Sequence, residues 1–192
     1  MPCSAESGAL WHDGRVLSET LRGRLLVATP LLIDPNFWRT VVLLLQHDEE
    51  GSIGVVLNRP TLELVETHIP DWGPVAAKPG IVHFGGPVDP RIAIGLGTGI
   101  DGEQTGVPGL TLVDLETSPG PAAPAAVRVY SGYSGWGGGQ LEAEIAEGSW
   151  YVVPASPDDP FDRPEGQWSR VLRRQKGHLA LVSTFPDDVD LN

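Results

Sequence analysis

The sequence has almost no cysteine. Cys3 is the single cysteine among 192 residues, so the chain can form neither an intramolecular disulfide nor a cysteine-rich zinc site. Disulfides are typical of secreted domains, whereas cytoplasmic proteins keep their thiols reduced. We therefore expect a cytoplasmic protein.

Long apolar stretches are also absent. No apolar run approaches the roughly 20 residues that a membrane-spanning helix needs. The N-terminus lacks the basic region followed by an apolar region that is typical of a signal peptide. We therefore expect neither secretion nor a membrane among the partners.

Positive charge is scarce. The chain has 13 Lys and Arg residues against 25 Asp and Glu residues, a formal net charge of -12. Such a surface repels the phosphates of nucleic acids and of anionic lipids, so nucleic acid is not an expected partner. The exception is a basic cluster near the C-terminus: Arg170, Arg173, Arg174, Lys176 and His178. We interpret it as a solvated helix face, and the alternative is a DNA-linked transcriptional regulator, although the sequence shows no helix-turn-helix.

Familiar cofactor and catalytic motifs fail in context. Residues 97–102 match the dinucleotide pattern GxGxxG, but loop sequence follows where a helix should begin. The chain has no phosphate-binding Gly-Lys-Ser/Thr and no His/Glu pair at metal-binding spacing. Ser134 lies in a near match to the nucleophile elbow G-x-S-x-G, but Trp136 stands where the tight turn requires glycine. We predict no cofactor, no metal and no catalytic residue, and the sequence places neither His47 nor His83 beside Ser134 as a base.

What is present is a succession of short strands. Thr40–Gln46 is so continuously apolar that we expect a strand buried on both faces. Asp48–Gly51 should turn the chain into a hairpin with Ile53–Leu57. Strands outnumber helices, and several are joined by short turns. The sequence therefore predicts an α+β fold with a mixed, mainly antiparallel sheet in a single domain, residues 22–192, after a flexible leader, residues 1–21.

Four further segments have local signals of their own. We predict a helix that begins at Asn58–Thr61 and continues to Ile69, because a side-chain acceptor and an early proline precede apolar residues at helical spacing. We also predict a hairpin strand at Arg91–Leu96, a helix at Glu165–Lys176 and a final strand at Leu179–Thr184.

The most unusual chemistry lies in residues 132–144, Gly-Tyr-Ser-Gly-Trp-Gly-Gly-Gly-Gln-Leu-Glu-Ala-Glu. A β-branched run, Val127–Tyr130, precedes it, and Gln140–Glu147 has helical composition. We predict a strand, a glycine turn and a short helix. The helix should end at Gly148, because glycine adopts the left-handed cap conformation without steric cost.

Several motifs extend across most of residues 23–184: Gly23-x-Leu25-Leu26-x-Ala28-x-Pro30, Asp34-x-x-Phe37-x-Arg39-x-Val41-Val42, His47-x-x-x-Gly51-x-x-Gly54, Leu57-Asn58-Arg59-Pro60, Gly85-Gly86-Pro87 and Gly132-Tyr133-x-x-Trp136-x-x-Gly139-Gln140-Leu141-Glu142-x-Glu144-Ile145. Together, in this order, they resemble the motifs of the YqgE/AlgH family of bacterial proteins. The resemblance implies an α+β fold with a bent, partly barrel-like sheet surrounded by helices. It implies no established activity, although one branch of the family is linked to the regulation of alginate production.

We expect a non-catalytic regulatory domain that binds a small molecule or a protein partner. The family motifs would supply the polar and aromatic groups of its site: Asp34, Arg39, His47, Asn58, Arg59, Tyr133, Trp136, Gln140 and Glu142. For Asp34 and Asn58, the formation of turns and caps is the alternative role. Gln140 and Glu142 are not needed for a cap, so function and packing remain equal alternatives for them.

The rival hypothesis is an enzyme of hydrolase type. Glu142 would act as general acid or base, and Arg39 or Arg59 would hold an anion. A buried Glu142 that faces a concave pocket would favour this enzyme.

Overall fold

The computed structural model describes residues 20–99 and 104–186, together with the backbone of residues 11–12 and 15–16. Two short strands, β1 (Trp11–His12) and β2 (Arg15–Val16), pair antiparallel, and the predicted leader otherwise lies almost wholly outside the described residues. Nine further strands form the main sheet: β3 (Arg24–Ala28), β4 (Val41–Asp48), β5 (Gly51–Val56), β6 (Pro60–Leu64), β7 (Ile81–Phe84), β8 (Val88–Thr98), β9 (Leu110–Val113), β10 (Val127–Gly137) and β11 (Trp150–Pro154).

The helices are short. Those in the described part of the chain are α1 (Val65–His68), α2 (Gln140–Ala146), α3 (Gln167–Arg173) and α4 (His178–Val182), with turns of 3-10 helix at Pro70–Val75 and Asp159–Phe161. None of the helices in residues 20–99 and 104–186 has the length and apolar character needed to cross a bilayer.

The main sheet is mixed and mainly antiparallel. Its strands follow the order β11-β3-β4-β5-β10-β7-β6, and β8 pairs with both β10 and β9. β10 runs parallel to β7, whereas the other named strand pairs in the described residues are antiparallel. The predicted α+β class with a mixed sheet is confirmed, and the sheet is open.

The long strand β10 bends the sheet. Its first half pairs with β7 and β8, and its second half, from Ser134 onward, pairs with β5. The register shifts between Ser131 and Tyr133, where Gly132 has a φ of 69°. Gly132 accommodates a bulge within a continuing strand, so the strand extends beyond the predicted Val127–Tyr130 to Gly137. The predicted glycine turn and short helix follow it, at residues 138–139 and in α2.

The glycine motifs around Gly86 and Gly132 pack closely against each other at the bend. A Cβ at Gly132 would lie 2.6 Å from the carbonyl oxygen of Gly86, and a Cβ at Gly86 would lie 2.2 Å from the carbonyl carbon of Tyr133. Neither distance is tolerable for a real Cβ atom. The motifs around these glycines are therefore explained by close backbone packing.

The core lies on both faces of β4. Val41, Leu43 and Leu45 join the larger apolar cluster, which α3 covers, whereas Val42 and Leu44 join a second cluster under α2. All five side chains are buried, as the continuous apolar run predicts. Each buried aliphatic side chain contributes about 1.5–3 kcal/mol to the hydrophobic driving force.

Two predicted elements are wrong. The predicted helix from Asn58–Thr61 is strand β6, in which Pro60 pairs with His83 and the side chain of Leu62 is 98% exposed. The helical spacing of its apolar residues was coincidental, and only α1 remains, as a single turn. The predicted final strand is helix α4, because the run Leu179–Val182 is too short for its periodicity to distinguish helix from strand.

The hairpin predicted for Arg91–Leu96 also differs from the structure. These residues belong to β8, which pairs antiparallel with β9 and β10 and has no pairing with β7 among the described strands. Its two partners, β9 and β10, both follow it in the chain, whereas the prediction paired it back with the preceding strand.

Candidate functional site

The turn at residues 34–39 separates two groups of predicted site residues. Asp34 builds the turn itself, since its Oδ1 accepts a hydrogen bond from the Asn36 N–H at 2.8 Å. Its carboxylate therefore has the structural role that the sequence offered as an alternative. Beyond the turn, Phe37 packs into the cluster under α2, whereas Trp38 and Arg39 line a groove beside α3.

That groove, which we call the arginine groove, has a volume of about 350 Å³. It lies between the ends of two loops and the start of α3, and its walls include two arginines, two tryptophans and one acid. The lining residues are Trp38, Arg39, Asn58, Arg59, Pro60, Pro164, Glu165, Gly166, Trp168 and Ser169. Three of the nine predicted site residues, Arg39, Asn58 and Arg59, therefore converge here.

Asn58 holds the backbone of the groove. Its Nδ2 donates to the carbonyl oxygen of Arg39 at 2.8 Å, and its Oδ1 accepts from the Val41 N–H at 3.0 Å. Arg39 itself has a φ of 53°, in the left-handed region that non-glycine residues rarely adopt. Such a conformation costs about 1–2 kcal/mol, and the Asn58 side chain stabilises it by bonding to the peptide group that follows Arg39.

Arg39 lies between aromatic rings and the C-terminal end of the described chain. Its guanidinium carbon is 4.3 Å from the ring centroid of Trp168 and 5.5 Å from that of Trp38, within cation–π range. Its Nη2 donates to the carbonyl oxygens of Phe185 and Pro186. The arginine thus fastens the chain after α4 to the groove.

Arg59 occupies the other wall of the groove. Its Nη2 donates to the carbonyl oxygen of Trp38, and within the described residues no carboxylate forms a salt bridge with it. Burial lowers the pKa of the Arg59 guanidinium, which nevertheless stays charged at neutral pH. A cation that is held by a carbonyl, and whose other donors have no partner in the described part of the chain, is suited to bind an anion.

A second group of predicted residues lies around α2, where Glu144 is the central acceptor. Glu144 Oε2 accepts from the indole Nε1 of Trp136 at 2.9 Å and from that of Trp150 at 2.8 Å. Its Oε1 accepts from Gln140 Nε2 at 3.0 Å, and Gln140 Oε1 accepts from the Gly137 N–H at 3.1 Å. Gln140 therefore closes the glycine turn, and Trp136, which is only 6% exposed, is a packing residue.

From the sequence, Glu144 was identified only as a motif residue, and its role as the acceptor for two buried indoles was not predicted. The signal was available in the spacing, because Trp136, Gln140 and Glu144 recur every four residues and Trp150 follows two residues after the helix cap at Gly148. Glu144 joins the end of β10 to the start of β11.

His47 links the β4–β5 hairpin to α2. Its Nδ1 is 2.9 Å from Ser52 Oγ, and its Nε2 is 3.6 Å from Glu142 Oε1. The His47 side chain is 6% exposed, whereas that of Glu142 is 52% exposed. Glu142 therefore is not the buried carboxylate that would favour an acid–base enzyme, and it does not line the arginine groove.

Tyr133 lies apart from both groups. It lines a shallow groove of about 350 Å³ with Ser52, Val88 and Trp136, and its ring packs partly against the larger core cluster. Tyr133, Asp34 and the four predicted residues around α2 all lie outside the arginine groove.

Two of the five residues in the basic cluster near the C-terminus pair with neighbouring acids. Arg174 makes a bidentate pair with the buried carboxylate of Asp159, and this bonding raises the pKa of the arginine. Arg170 pairs with Asp162 at 2.9 Å. Two of the three arginines that a DNA-binding face would need are thus bound within the molecule.

A buried histidine that the sequence left unplaced lies on β7. His83 is 1% exposed, and its Nδ1 has no hydrogen-bond partner among the described residues. Burial, together with the nearby charge of Arg128, lowers the pKa of His83 to about 4. The ring is therefore neutral at pH 7. In residues 20–99 and 104–186 no three His, Cys, Asp or Glu side chains group as a metal ion would require.

The comparisons with known proteins agree with the motifs. The family model described as DUF179: AlgH-like matches residues 25–180. A UPF0301 protein of Streptomyces coelicolor is 53% identical over 194 residues, covering 94% of this chain and 100% of that protein. A UPF0301 protein of Thermobifida fusca is 46% identical over 190 residues, covering 90% of this chain and 96% of that protein.

Two solved structures are similar to the fold. The crystal structure of protein DIP2367 from Corynebacterium diphtheriae has a TM-score of 0.80 and 32% identity, covering 88% of this chain and 94% of that one. The solution structure of the AlgH protein from Pseudomonas aeruginosa, a UPF0301 protein, has a TM-score of 0.65 and 27% identity, covering 91% of this chain and 98% of that one. The chain therefore belongs to the AlgH-like family, DUF179 or UPF0301.

Proposed function

We propose that the protein is a non-catalytic binding domain with a regulatory role, and that it holds an acidic peptide segment of a partner protein in the arginine groove. One observation carries this proposal. Arg39, Asn58 and Arg59 converge in a groove where both guanidinium groups donate to backbone carbonyls and Arg59 has no carboxylate partner in the described residues.

The charge of the molecule supports an anionic ligand. A chain with a net charge of -12 repels anions over most of its surface, so a local pair of arginines is a specific point of attraction. Guanidinium groups bind carboxylates through two parallel hydrogen bonds, which are stronger than bonds between neutral groups. The groove therefore selects for carboxylates on both charge and geometry.

The shape and remaining polarity of the groove support a peptide. Its volume of about 350 Å³ is within the range of ligand sites, and the exposed ring of Trp38 offers apolar contact to aliphatic side chains. Glu165 on the same wall is an acceptor for peptide N–H groups, which a simple inorganic anion lacks. A cytoplasmic location and a protein partner are part of this proposal.

The test uses a synthetic acidic hexapeptide, acetyl-Glu-Asp-Glu-Glu-Asp-Glu-amide, titrated into the full chain by calorimetry. Arg59→Gln should weaken binding about 10- to 100-fold, because a hydrogen bond to a charged group contributes about 1.5–3 kcal/mol. The matched control is Arg91→Gln, which removes the same charge from a side chain that is 90% exposed and does not line the groove.

Separate titrations distinguish the kind of anion. Succinate and inorganic phosphate should each bind more weakly than the peptide, since neither carries peptide N–H groups for Glu165. Equal affinity of the peptide for wild type and Arg59→Gln, or tighter binding by succinate, would contradict a peptide site in the groove.

An alternative function, a hydrolase, is favoured by a different observation. Glu142, His47 and Ser52 form a carboxylate–imidazole–hydroxyl chain with distances of 3.6 Å and 2.9 Å. This is the order of groups that activates a serine nucleophile. A fluorophosphonate reagent should then label Ser52, and His47→Gln should suppress the labelling. An unlabelled Ser52, read by peptide mass spectrometry, would eliminate this function.

A further inference from the structure

A second cavity crosses one face of the sheet and shares no residue with the arginine groove. It extends from β6 over β7 and β10 to β8, and we call it the β6–β8 trough. Its volume of about 330 Å³ lies at the lower end of the range for small-molecule sites. The trough is therefore large enough for a small organic ligand.

The floor of the trough is apolar. Val82 of β7 and Val129 of β10 line it, and both belong to a third apolar cluster, which includes residues of α1 and of the 3-10 turn that follows. Ile69 and Ile92 line it as well, and Ile92 is 43% exposed. The trough is thus the uncovered end of this cluster. An apolar group that binds there leaves water, which favours binding.

Two hydroxyl groups fix the walls of the trough. Thr61 Oγ1 donates to the carbonyl oxygen of Val82 at 2.7 Å and joins β6 to β7, and it also accepts from the Glu63 N–H at 3.1 Å. Ser131 Oγ donates to the carbonyl oxygen of Pro90 at 2.6 Å and joins β10 to β8. A hydroxyl has a single hydrogen, so these two oxygens can accept from a ligand but cannot donate to it.

The charged side chains of the trough favour a cation. Arg91 is paired within its own wall, since its Nε donates to Asp89 Oδ1 at 3.0 Å and its Nη2 donates to Asp89 Oδ2 at 3.4 Å. On the opposite wall, the Glu63 carboxylate is 65% exposed and lies 3.2 Å from His68 Nε2, which cancels its charge only when the histidine is protonated. An exposed pair of this kind contributes little, so Glu63 is available to a ligand.

We propose that the β6–β8 trough binds a small hydrophobic amine, with its apolar body on the floor and its ammonium group at Glu63. An ammonium has three N–H donors and no acceptor, which suits a wall where Glu63, Thr61 and Ser131 offer acceptors. The net charge of -12 adds long-range attraction for a cation. This site goes beyond the proposed function, because the arginine groove selects for the opposite charge.

The experiment titrates three probes of similar shape into the full chain: 2-phenylethylamine, 2-phenylethanol and 3-phenylpropanoate. The methyl resonances of Val82, Val129 and Ile92 report binding by NMR. The amine should bind about 10-fold more tightly than the alcohol, because hydrogen bonds between charged groups are stronger than bonds of a neutral hydroxyl. The acid should bind most weakly. Unshifted methyl resonances, or an alcohol or acid that binds as tightly as the amine, would overturn the proposal.

Variants locate the ammonium group. Glu63→Gln should weaken binding of the amine about 10-fold and leave binding of the alcohol unchanged. The matched control is Glu66→Gln, which removes the same charge from an exposed residue of α1 that does not line the trough. If Glu63→Gln weakens binding of the amine no more than Glu66→Gln does, the ammonium does not lie at Glu63 and the proposal is wrong.

A second pair of variants tests the floor. Ile92→Ser should weaken binding of the amine and of the alcohol by the same factor, because both lose the same apolar contact. Leu31→Ser, at an 83% exposed position outside the trough, should weaken neither. Arg59→Gln should also leave the affinity for the amine unchanged, so the trough and the arginine groove are tested separately. If Ile92→Ser and Leu31→Ser bind the amine equally, the apolar body does not lie on the floor and the proposal is refuted.

Discussion

Replacing Glu144 by glutamine should destabilise the fold far more than the same replacement two residues away. Glu144 accepts hydrogen bonds from the indoles of Trp136 and Trp150 and from the Gln140 amide, and both tryptophans are at most 6% exposed. Glutamine has nearly the same volume, so packing is preserved. Its amide nitrogen, however, must face at least one of the three donors.

The expected loss can be worked from these contacts. In one orientation the amide nitrogen faces both buried indole N–H groups, and each N–H left without an acceptor costs about 1–3 kcal/mol. In the other it faces Gln140 Nε2, and both indole bonds weaken because their acceptor is no longer charged. We expect Glu144→Gln to lower the free energy of unfolding by about 2 kcal/mol. In a chain of this size that corresponds to a fall in Tm of about 4–8 °C.

Glu142→Gln is the matched control. Glu142 is 52% exposed and lies 3.6 Å from His47, so its loss should change the free energy of unfolding by less than about 0.5 kcal/mol. Urea unfolding followed by tryptophan fluorescence measures both variants, and the slope against urea should stay unchanged. If Glu144→Gln costs no more than Glu142→Gln, the carboxylate does not hold the two indoles.

The remaining predictions concern the bend of the sheet and the buried histidine. Gly86→Ala should prevent correct folding or lower the free energy of unfolding by about 4 kcal/mol or more, because its Cβ would lie 2.2 Å from the carbonyl carbon of Tyr133. The control Gly120→Ala, whose Cβ would have no atom within 4 Å, should leave the free energy of unfolding in urea nearly unchanged. The pKa of His83 is lowered to about 4 in the folded state from 6.5, so the unfolded chain takes up a proton first and stability is lost as the pH falls from about 6.5 to 4. The loss of unfolding free energy should reach up to about 3 kcal/mol. It should be smaller in His83→Phe and unchanged in a His68→Gln control. An identical dependence of stability on pH in all three proteins would contradict this prediction.

Local patterns determined much of the fold from sequence. The run Thr40–Gln46 predicts a strand buried on both faces because residues 41–45 are all apolar, and in the structure these five side chains are buried whereas Gln46 is exposed. The Asp48–Gly51 turn predicts its hairpin, and Gly148 ends α2 with a φ of 83°, as only the permissive backbone of glycine allows cheaply. These features depend on residues within one or two turns of each other.

Predictions from local patterns were wrong where contacts between distant residues outweigh the local preference for a helix. Asn58–Thr61 carries the signals of a helix start, yet Pro60 pairs with His83 at the edge of the sheet, and Asn58 bonds the backbone of Arg39 and Val41 instead of capping a helix. The hydrogen bonds of a strand edge and of a bridging amide outweigh the weak preference of a short helix, which is marginal in isolation.

The sequence by itself determined the α+β class, the strands around the first hairpin, the short helix after the glycine run and the residues from which a site could be built. Tertiary structure alone decided which of those residues meet. Arg39 and Arg59 share a groove because Asn58 joins their two loops, whereas Gln140 and Glu142 belong to another face. The physical reason is that strand and turn preferences act over neighbouring residues, but a groove forms only after chain segments 21 to 147 positions apart are brought into contact by the common core.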